Sequence, residues 1–302
     1  MEAIIAVVGF LGAGKTTLLN RLISHYIDAD WQPFVILNDY ENAELDVQQF
    51  TDKIEPQSLR ALSGSCICCS GIAELRNLVN TIPERKNGIT LIEANGTTDA
   101  CDLMGFLGVG LDERFMPPVQ ISVVDVKNWQ NRGEHNDLEA NQIQVSSLIV
   151  LTHLEDVNES RKTEVIKHIS KLNSCATIIT SEELDISDLA ALRPSNNQSQ
   201  ALDHQKAHWS SCSVDLPKFP NETSIKNLCT HLPASIMRVK GCVQLGEEQS
   251  YTYFERLPDG TVNIRPFNGF PIAGAKVLIV GPQSSPALLQ GAVDHALSNF
   301  NP

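Results

Sequence analysis

The stretch GFLGAGKTT, residues 9–17, restricts the fold of this chain more than any other feature of its sequence. It fits the pattern G-x-x-x-x-G-K-[ST] at Gly9, Gly14, Lys15 and Thr16. An apolar run, AIIAVV, directly precedes it, and the residues after it place apolar side chains at helical spacing. A strand, a glycine-rich loop and a helix in this order indicate a phosphate-binding loop rather than a glycine-rich turn with an incidental lysine.

The residues of this loop suit a nucleoside triphosphate bound with Mg²⁺. Glycines let the backbone curl so that successive N–H groups face a phosphate at the positive end of a helix. We expect Lys15 to reach the β- and γ-phosphate oxygens and the Thr16 hydroxyl to bind Mg²⁺. The nucleotide-binding residues predicted from the loop are Gly9, Gly12, Ala13, Gly14, Lys15, Thr16 and Thr17.

The composition limits the partners of the chain. Its formal net charge is −13 and its pI is near 5.0, so a nucleic acid would be repelled and a bound phosphate must be held by local donors. No apolar run reaches membrane-spanning length, and Glu2 stands where a secretory signal would carry basic residues. We therefore predict a cytoplasmic protein that binds neither nucleic acid nor membrane and keeps its thiols reduced.

Apolar runs alternate with helix-like segments over residues 1–193. This alternation predicts an α/β domain of the P-loop NTPase type, with a mostly parallel sheet covered by helices on both faces. The composition changes at 194–212, a predicted polar linker, and residues 213–302 predict a smaller α+β domain with a largely antiparallel sheet. The apolar runs are AIIAVV (3–8), PFVILN (33–38), GITLIE (88–93), VQISVVD (119–125), SSLIVLT (146–152) and ATIIT (176–180).

A carboxylate follows the third of these apolar runs, in LIEANG at residues 91–96. Beside a phosphate-binding loop, this placement predicts that Glu93 approaches Mg²⁺ through a water molecule and assists catalysis together with Lys15 and Thr16. The N–H of Gly96 could then contact the γ-phosphate, as switch loops do. The alternative is a strand that simply ends in a polar turn.

Three of the eight cysteines lie within the heptapeptide GSCICCS, residues 64–70. The thiolates of Cys66, Cys68 and Cys69 would form a soft, anionic site suited to Zn²⁺ or Co²⁺. Three protein ligands leave a fourth tetrahedral position for water, a carboxylate or a client's ligand, which a site that transfers its metal needs. Reduced cysteines that fill the core, or a redox role for the adjacent pair, are the alternatives.

In their order along the chain, these motifs resemble those of a known family. GFLGAGKTTLLN, ILNDYENAELD, GSCICCS and IEANG look like the motifs of the CobW-type GTPases, relatives of the urease and hydrogenase maturation GTPases, and MRVKGCVQL (237–245) resembles part of that family's C-terminal domain. The resemblance implies a GTP-dependent metallochaperone with slow intrinsic turnover, zinc or cobalt as cargo, GTP and GDP as ligands and a metalloprotein as client. It leaves homo-oligomerisation open.

The segment NDYENAELD, residues 38–46, departs from the family's Asn-Glu-Phe-Gly switch motif. Asn38 is kept, but Asp39 replaces the glutamate and is one methylene shorter. The resemblance implies that Asp39 orients the attacking water or approaches a metal. Glu41 and Glu44 are either further metal ligands or solvated acids of a loop.

A second departure concerns recognition of the base. Where the family has Asn/Thr-Lys-x-Asp, this chain has Thr152, His153, Leu154 and Glu155. Glu155 can still accept two hydrogen bonds from guanine if the loop retreats, and Asp156 could replace it after a shift of one residue. GTP is the expected nucleotide, with ATP or a relaxed preference left open.

Two interpretations compete with a metallochaperone GTPase. One is a metal-responsive regulatory protein that binds nucleotide with little turnover, and the other is an ATP-preferring P-loop enzyme with catalytic cysteines. His204 and His208, four residues apart in the predicted linker, are either an ordinary solvated pair or an auxiliary metal site.

Overall fold

A computed structural model describes the chain in two compact units, one within residues 1–194 and one within 210–298. The described residues are 1–38, 50, 52–62, 72–155, 157–186, 189, 192–194, 210–236, 238–257, 259–267, 269–271, 274–281 and 284–298. Across these ranges, no helix has the length and apolar character that crossing a membrane requires.

The described part of the N-terminal unit contains a seven-stranded, entirely parallel sheet. Its strand order is β3-β2-β4-β1-β5-β6-β7. The central strands read as continuous apolar runs because helices cover both faces of such a sheet. The strands are β1 (Ala3–Val8), β2 (Gln32–Asn38), β3 (Leu59–Leu62), β4 (Gly88–Glu93), β5 (Val119–Asp125), β6 (Leu148–Thr152) and β7 (Thr177–Thr180).

The helices of this unit follow the strands. The first is amphipathic and buries Leu18, Leu19, Leu22 and Ile23 against the sheet, which fixes the loop that precedes it. The last of them begins after Asn158, whose side chain accepts from Arg161 N at 2.8 Å as an N-cap. The helices are α1 (Lys15–Asp28), α2 (Ile72–Thr81), α3 (Ala100–Leu107), α4 (Asn136–Gln144) and α5 (Glu159–Leu172).

The C-terminal unit is an antiparallel sheet with two helices packed into its core. The sheet order is β11-β10-β9-β12-β8, and apolar residues of both helices share one buried cluster with the strands. The elements are β8 (Ser210–Asp215), α6 (Glu222–His231), β9 (Arg238–Gln244), β10 (Tyr251–Arg256), β11 (Val262–Phe267), β12 (Lys276–Gly281) and α7 (Pro286–Ser298).

This architecture confirms the predicted fold class, a parallel α/β domain followed by a smaller α+β domain. Two details differ from the sequence analysis. The edge strand β3 was not predicted, because four residues that include Arg60 give too short an apolar pattern. Strand β8 begins at Ser210, inside the last three residues of the predicted linker.

Candidate nucleotide-binding site

The predicted site residues within the described ranges lie along one edge of the N-terminal sheet. At this carboxyl edge β1 ends at Val8, β4 at Glu93 and β6 at Thr152. Strand β1 lies in the middle of the sheet; the chain passes from it to β2 on one side and later reaches β5 on the other. Ligands of open α/β sheets bind where the strand order reverses in this way, so the edge above β1 is the candidate site.

The loop between β1 and α1 has the backbone shape of a phosphate-binding loop. Gly14 has φ +97°, a left-handed conformation that glycine adopts without strain, and α1 begins at the next residue. Gly14 has no side chain to cap this helix, whose first-turn N–H groups and dipole favour an anion. Thr17 is exposed in that first turn.

Lys15 brings a positive charge into the same loop. Its side chain is only 4% exposed, and its ammonium donates to Gly9 O at 2.9 Å and to Phe10 O at 3.2 Å. The two carbonyls therefore keep the cation beside the backbone N–H groups of the loop. Backbone donors and a lysine in one small loop fit a phosphate, although the chain as a whole is acidic.

Thr16 and Glu93 are 77 residues apart in sequence and touch in the structure. The Thr16 hydroxyl donates to Glu93 Oε1 at 2.8 Å, and the Glu93 residue is 9% exposed. A hydroxyl and a carboxylate are hard oxygen ligands of the kind that Mg²⁺ prefers. The pair therefore fits Mg²⁺, which would neutralise phosphate charge when bound.

Gly96 lies against the phosphate-binding loop. A Cβ on Gly96 would come within 2.4 Å of Leu11 Cδ2 and 2.8 Å of Leu11 N, so no larger residue fits without a backbone shift. The segment after β4 is therefore in contact with the phosphate-binding loop at Gly96. A residue that responds to the γ-phosphate must lie near this loop.

The end of β2 contributes a buried amide to the same edge. Asn38 is 5% exposed, and its Nδ2 has no hydrogen-bond partner within the described ranges. Its neighbour Leu37 is in register with Glu93 on β4. A buried donor of this kind calls for an acceptor, which a ligand at this edge could supply.

The base-recognition segment is joined to the phosphate-binding loop. Thr152 Oγ1 lies 2.8 Å from Ala13 O and 3.1 Å from Val124 O. His153 has φ +54°, and its Nε2 is 3.0 Å from Gly12 O, to which it donates if that nitrogen carries the proton. Glu155 is exposed and therefore accessible to a ligand.

Several predicted residues lie outside the described ranges. They are Asp39, Glu41, Glu44, Cys66, Cys68, Cys69, Asp156, His204 and His208. Within the described ranges, no three His, Cys, Asp or Glu residues form a group that could hold a metal ion. Burial raises the pKa of the thiols of Cys229 and Cys242 to about 12, so these two stay protonated at neutral pH.

One feature at this edge was missed by the sequence analysis. Arg132 pairs with Asp125 at the end of β5 at 3.1 Å and with Glu139 on α4 at 3.3 Å, and its guanidinium lies 4.8 Å from the ring centroid of Phe10 in the phosphate-binding loop. Burial raises the pKa of the Glu139 carboxyl, while the neighbouring Arg132 opposes this shift. An acid after an apolar strand was a usable signal for Asp125, whereas no local pattern indicated Arg132.

Comparison with known proteins gives a family for the N-terminal unit. The family model described as CobW/HypB/UreG, nucleotide-binding domain, matches residues 3–180. The zinc chaperone YjiA of Escherichia coli strain K12 is 26% identical over 202 residues, which are 64% of this chain and 61% of YjiA. The zinc-regulated GTPase metalloprotein activator 1 of Dictyostelium discoideum is 24% identical over 204 residues, 54% of this chain and 42% of that protein.

Two solved structures are also similar, at low identity. The Zn(II)-bound YjiA GTPase from E. coli aligns over 97% of this chain and 98% of its own, with a TM-score of 0.42 and 16% identity. The hydrogenase maturation factor HypB of Archaeoglobus fulgidus aligns over 63% of this chain and 87% of its own, with a TM-score of 0.38 and 16% identity. In sequence, the chain matches 61% and 42% of the lengths of its two curated relatives.

Proposed function

The chain belongs to the CobW/HypB/UreG family, and from this premise we propose that it binds and hydrolyses GTP and couples its nucleotide state to the delivery of a transition metal to a client protein. The observation that carries the proposal is the contact of Thr16 with Glu93, next in sequence to Lys15, whose ammonium the carbonyls of the phosphate-binding loop hold. This is the arrangement that a Mg²⁺-bound triphosphate requires. The names of the zinc chaperone YjiA and of the zinc-regulated activator support zinc as the cargo.

The roles proposed at the nucleotide are supported by the positions of Lys15, Thr16, Glu93 and Gly96 and, for Asp39, by its place in the sequence. Lys15 contacts the β- and γ-phosphates, the Thr16 hydroxyl and Glu93 hold Mg²⁺, and Gly96 N–H contacts the γ-phosphate. Asp39, directly after β2, orients the attacking water. The segments NDYENAELD and IEANGTT contain no arginine that could stabilise the transition state, so we expect slow turnover.

The cargo site is proposed at Cys66, Cys68 and Cys69, with zinc as the first metal and cobalt as the alternative. Strand β3 ends at Leu62, only four residues before the first of these cysteines, and Leu62 is in register with Asn38 at the end of β2. Strand β3 therefore ends at the same sheet edge as Glu93. This position supports coupling between the terminal phosphate and the metal.

The base and the client are proposed on separate grounds. Glu155 accepts hydrogen bonds from guanine, with Thr152 and His153 supporting the base-recognition segment. We propose that residues 1–193 form the GTPase domain and that residues 213–302 dock the client. Residues 194–212 would link the two domains, except that β8 already begins at Ser210. We propose the cytoplasm as the compartment, because the three clustered thiols must stay reduced to bind metal.

Metal titration in three nucleotide states tests the coupling. The intact chain is titrated with Zn²⁺ in the presence of GTP, of GDP and of no nucleotide, with Cys66→Ser as the test variant and Cys175→Ser, an exposed isolated thiol, as its control. We expect tighter binding with GTP in the wild type and in Cys175→Ser, and loss of this site in Cys66→Ser. Equal zinc affinity in all three states would remove the coupling from the proposal.

Phosphate release and nucleotide competition separate the alternatives. Release is measured with and without zinc, and labelled GTP is displaced by ATP. Tight nucleotide binding with a flat baseline in both conditions favours the regulatory protein. If ATP displaces labelled GTP as effectively as unlabelled GTP does, an ATP-using enzyme is favoured. The observation that supports this alternative is that His153 and Glu155 depart from the family's base-recognition motif.

A further inference from the structure

Two adjacent amide side chains of α4 hold the segment that follows β4. Gln142 Nε2 donates to Gly96 O at 2.9 Å and to Thr98 O at 3.1 Å. Asn141 Oδ1 accepts from Ala100 N at 3.0 Å, at the first residue of α3. Gln142 and Asn141 are each 1% exposed, so water does not compete for these bonds.

Gly96 is consequently held between two parts of the molecule. On one side it packs against Leu11 of the phosphate-binding loop, and on the other its carbonyl accepts from Gln142. Glycine has more backbone conformational freedom than any other residue. The hydrogen bond from Gln142 therefore restricts the backbone more at Gly96 than it would at another residue type. The bond to Gly96 O fixes the peptide that follows Gly96. Since the Gly96 N–H belongs to the preceding peptide, this bond acts on that N–H by restricting the backbone torsions of Gly96.

Gln142 is itself anchored through its own backbone. Its carbonyl accepts from Gln120 Nε2 at 2.7 Å and from Ser122 Oγ at 2.7 Å, both on β5. Gln120 and Ser122 are fully buried. The side-chain amide of Gln142 therefore extends from a helix position whose backbone is anchored to the sheet. A residue that positions another group needs such an anchor.

The amide orientation of Gln142 is costly, and this cost needs a reason. Its Oε1 is buried and has no hydrogen-bond partner within the described ranges. The opposite orientation would place Oε1 against two carbonyl oxygens, so the assignment follows from the acceptors. A buried carbonyl without a partner is unfavourable, and an apolar side chain would avoid it. The two bonds to the segment after β4 are the gain that offsets this cost.

We propose that Gln142 is a positioning residue for recognition of the γ-phosphate: it fixes Gly96 so that the Gly96 N–H is presented to a nucleoside triphosphate but has no role toward a diphosphate. The inference rests on the proposed nucleotide site and adds a residue to it. No sequence motif marks Gln142, which lies 46 residues after Gly96.

The test compares a triphosphate with a diphosphate in Gln142→Met, which replaces the amide by an apolar side chain of similar length. A non-hydrolysable GTP analogue and GDP are each titrated into the intact chain with Mg²⁺. A hydrogen bond to a charged group corresponds to a factor of roughly 10 to 100 in affinity. We expect the affinity for the analogue to fall by at least about tenfold on this basis, and GDP affinity to change by less than about threefold.

Gln144→Met, a change of the same kind at a half-buried position two residues further along α4, is the matched control and should leave both affinities unchanged. Gln142→Asn keeps a buried amide but shortens it by one methylene, so it cannot reach both carbonyls. It should reproduce the triphosphate-specific loss, and it decides the matter if the methionine variant does not fold.

Four outcomes contradict the inference. Equal losses for the analogue and GDP would indicate a merely structural role, and unchanged affinities in a folded variant would indicate none. A wild-type chain that binds neither GTP nor ATP analogues would contradict the proposed function as well. A wild type that prefers triphosphate, with variants that keep this preference, contradicts the inference about Gln142 alone.

Discussion

Two loops at the same edge of the sheet offer different groups to a ligand: mainly backbone groups in the loop after β1, and side chains in the segment after β6. The phosphate-binding loop after β1 acts through its backbone and the buried Lys15: Leu11 and Ala13 are each 1% exposed, and Gly14 has a left-handed conformation. The base-recognition segment after β6 acts through side chains, and its His153 and Glu155 are exposed. A loop that needs a particular backbone conformation accepts few substitutions, whereas positions with exposed side chains accept many. The phosphate motif is accordingly intact and the base motif is altered.

The two loops are nevertheless connected, since Thr152 and His153 contact the carbonyls of Ala13 and Gly12. A change in the base-recognition segment can therefore reach the phosphates through hydrogen bonds. The two loops have separate roles only if a change in one leaves the ligand contacts of the other intact.

The largest effect is expected at Lys15. Lys15→Ala removes the buried ammonium that the loop carbonyls hold, and loss of a buried charged partner costs about 2–5 kcal/mol, or roughly 30- to 4,000-fold in nucleotide affinity. GTP and GDP titrations measure it, with the exposed Lys127→Ala as control. Because the phosphates are common to all nucleotides, GTP and ATP should lose affinity in parallel. A loss confined to GTP would contradict the division between the loops.

The next effect is expected from Gly96→Ala. The added Cβ would lie 2.4 Å from Leu11 Cδ2 and 2.8 Å from Leu11 N, so the segment after β4 must move away from the phosphate-binding loop. Overpacking of this kind costs about 1–3 kcal/mol of stability. Triphosphate affinity should fall by more than diphosphate affinity.

Gly105→Ala on α3 is the matched control for this prediction. Apart from its chain neighbours and its own helix backbone, no heavy atom of the described residues lies within 4 Å of its Cβ position, and alanine is favoured over glycine in a helix by about 0.5–1 kcal/mol. Urea unfolding should show a gain in stability for Gly105→Ala and a loss for Gly96→Ala. Equal stability of the two variants would mean that Leu11 gives way at little cost.

The difference between the loops also explains how far the sequence predicts the site. The sequence indicated Lys15, Thr16 and Glu93 as candidates because each lies at or just after the end of a strand in a recognisable local pattern. Gln142 and Arg132 were not found, because their contacts join residues far apart in sequence and an amide or guanidinium on a helix or loop has no periodic signature. The parallel α/β architecture followed from apolar runs, and among the described strands of that sheet only the short edge strand β3 lacked one.

A smaller effect, restricted to the base, is expected at Glu155. Glu155→Ala removes the proposed acceptor for guanine, and because the side chain is exposed we expect about a tenfold fall in the GTP-to-ATP affinity ratio. Stability should change by less than about 0.5 kcal/mol. Competition of labelled GTP by ATP measures the ratio, with the exposed Glu182→Ala as control. An unchanged ratio would assign base recognition to another residue.

The smallest effect concerns the support of the phosphate-binding loop by His135, whose ring is stacked 6.5 Å from that of Phe10. Burial lowers the pKa of His135 below the ordinary 6.5, and Glu134 opposes this shift only in part. The folded state therefore favours neutral His135, and this contribution to stability is present above pH 6.5 and lost as the pH falls toward the lower pKa of the folded state.

Urea unfolding at about pH 7.5 and 5.5 should show a smaller loss of unfolding free energy on acidification in His135→Asn than in the wild type. His25→Asn, at a half-buried position on α1, should keep the wild-type pH dependence. If His135→Asn also kept it, protonation of this ring would not oppose the packing around Phe10, and the phosphate-binding loop would depend on its other contacts, among them the Arg132 network and the bonds from Thr152 and His153.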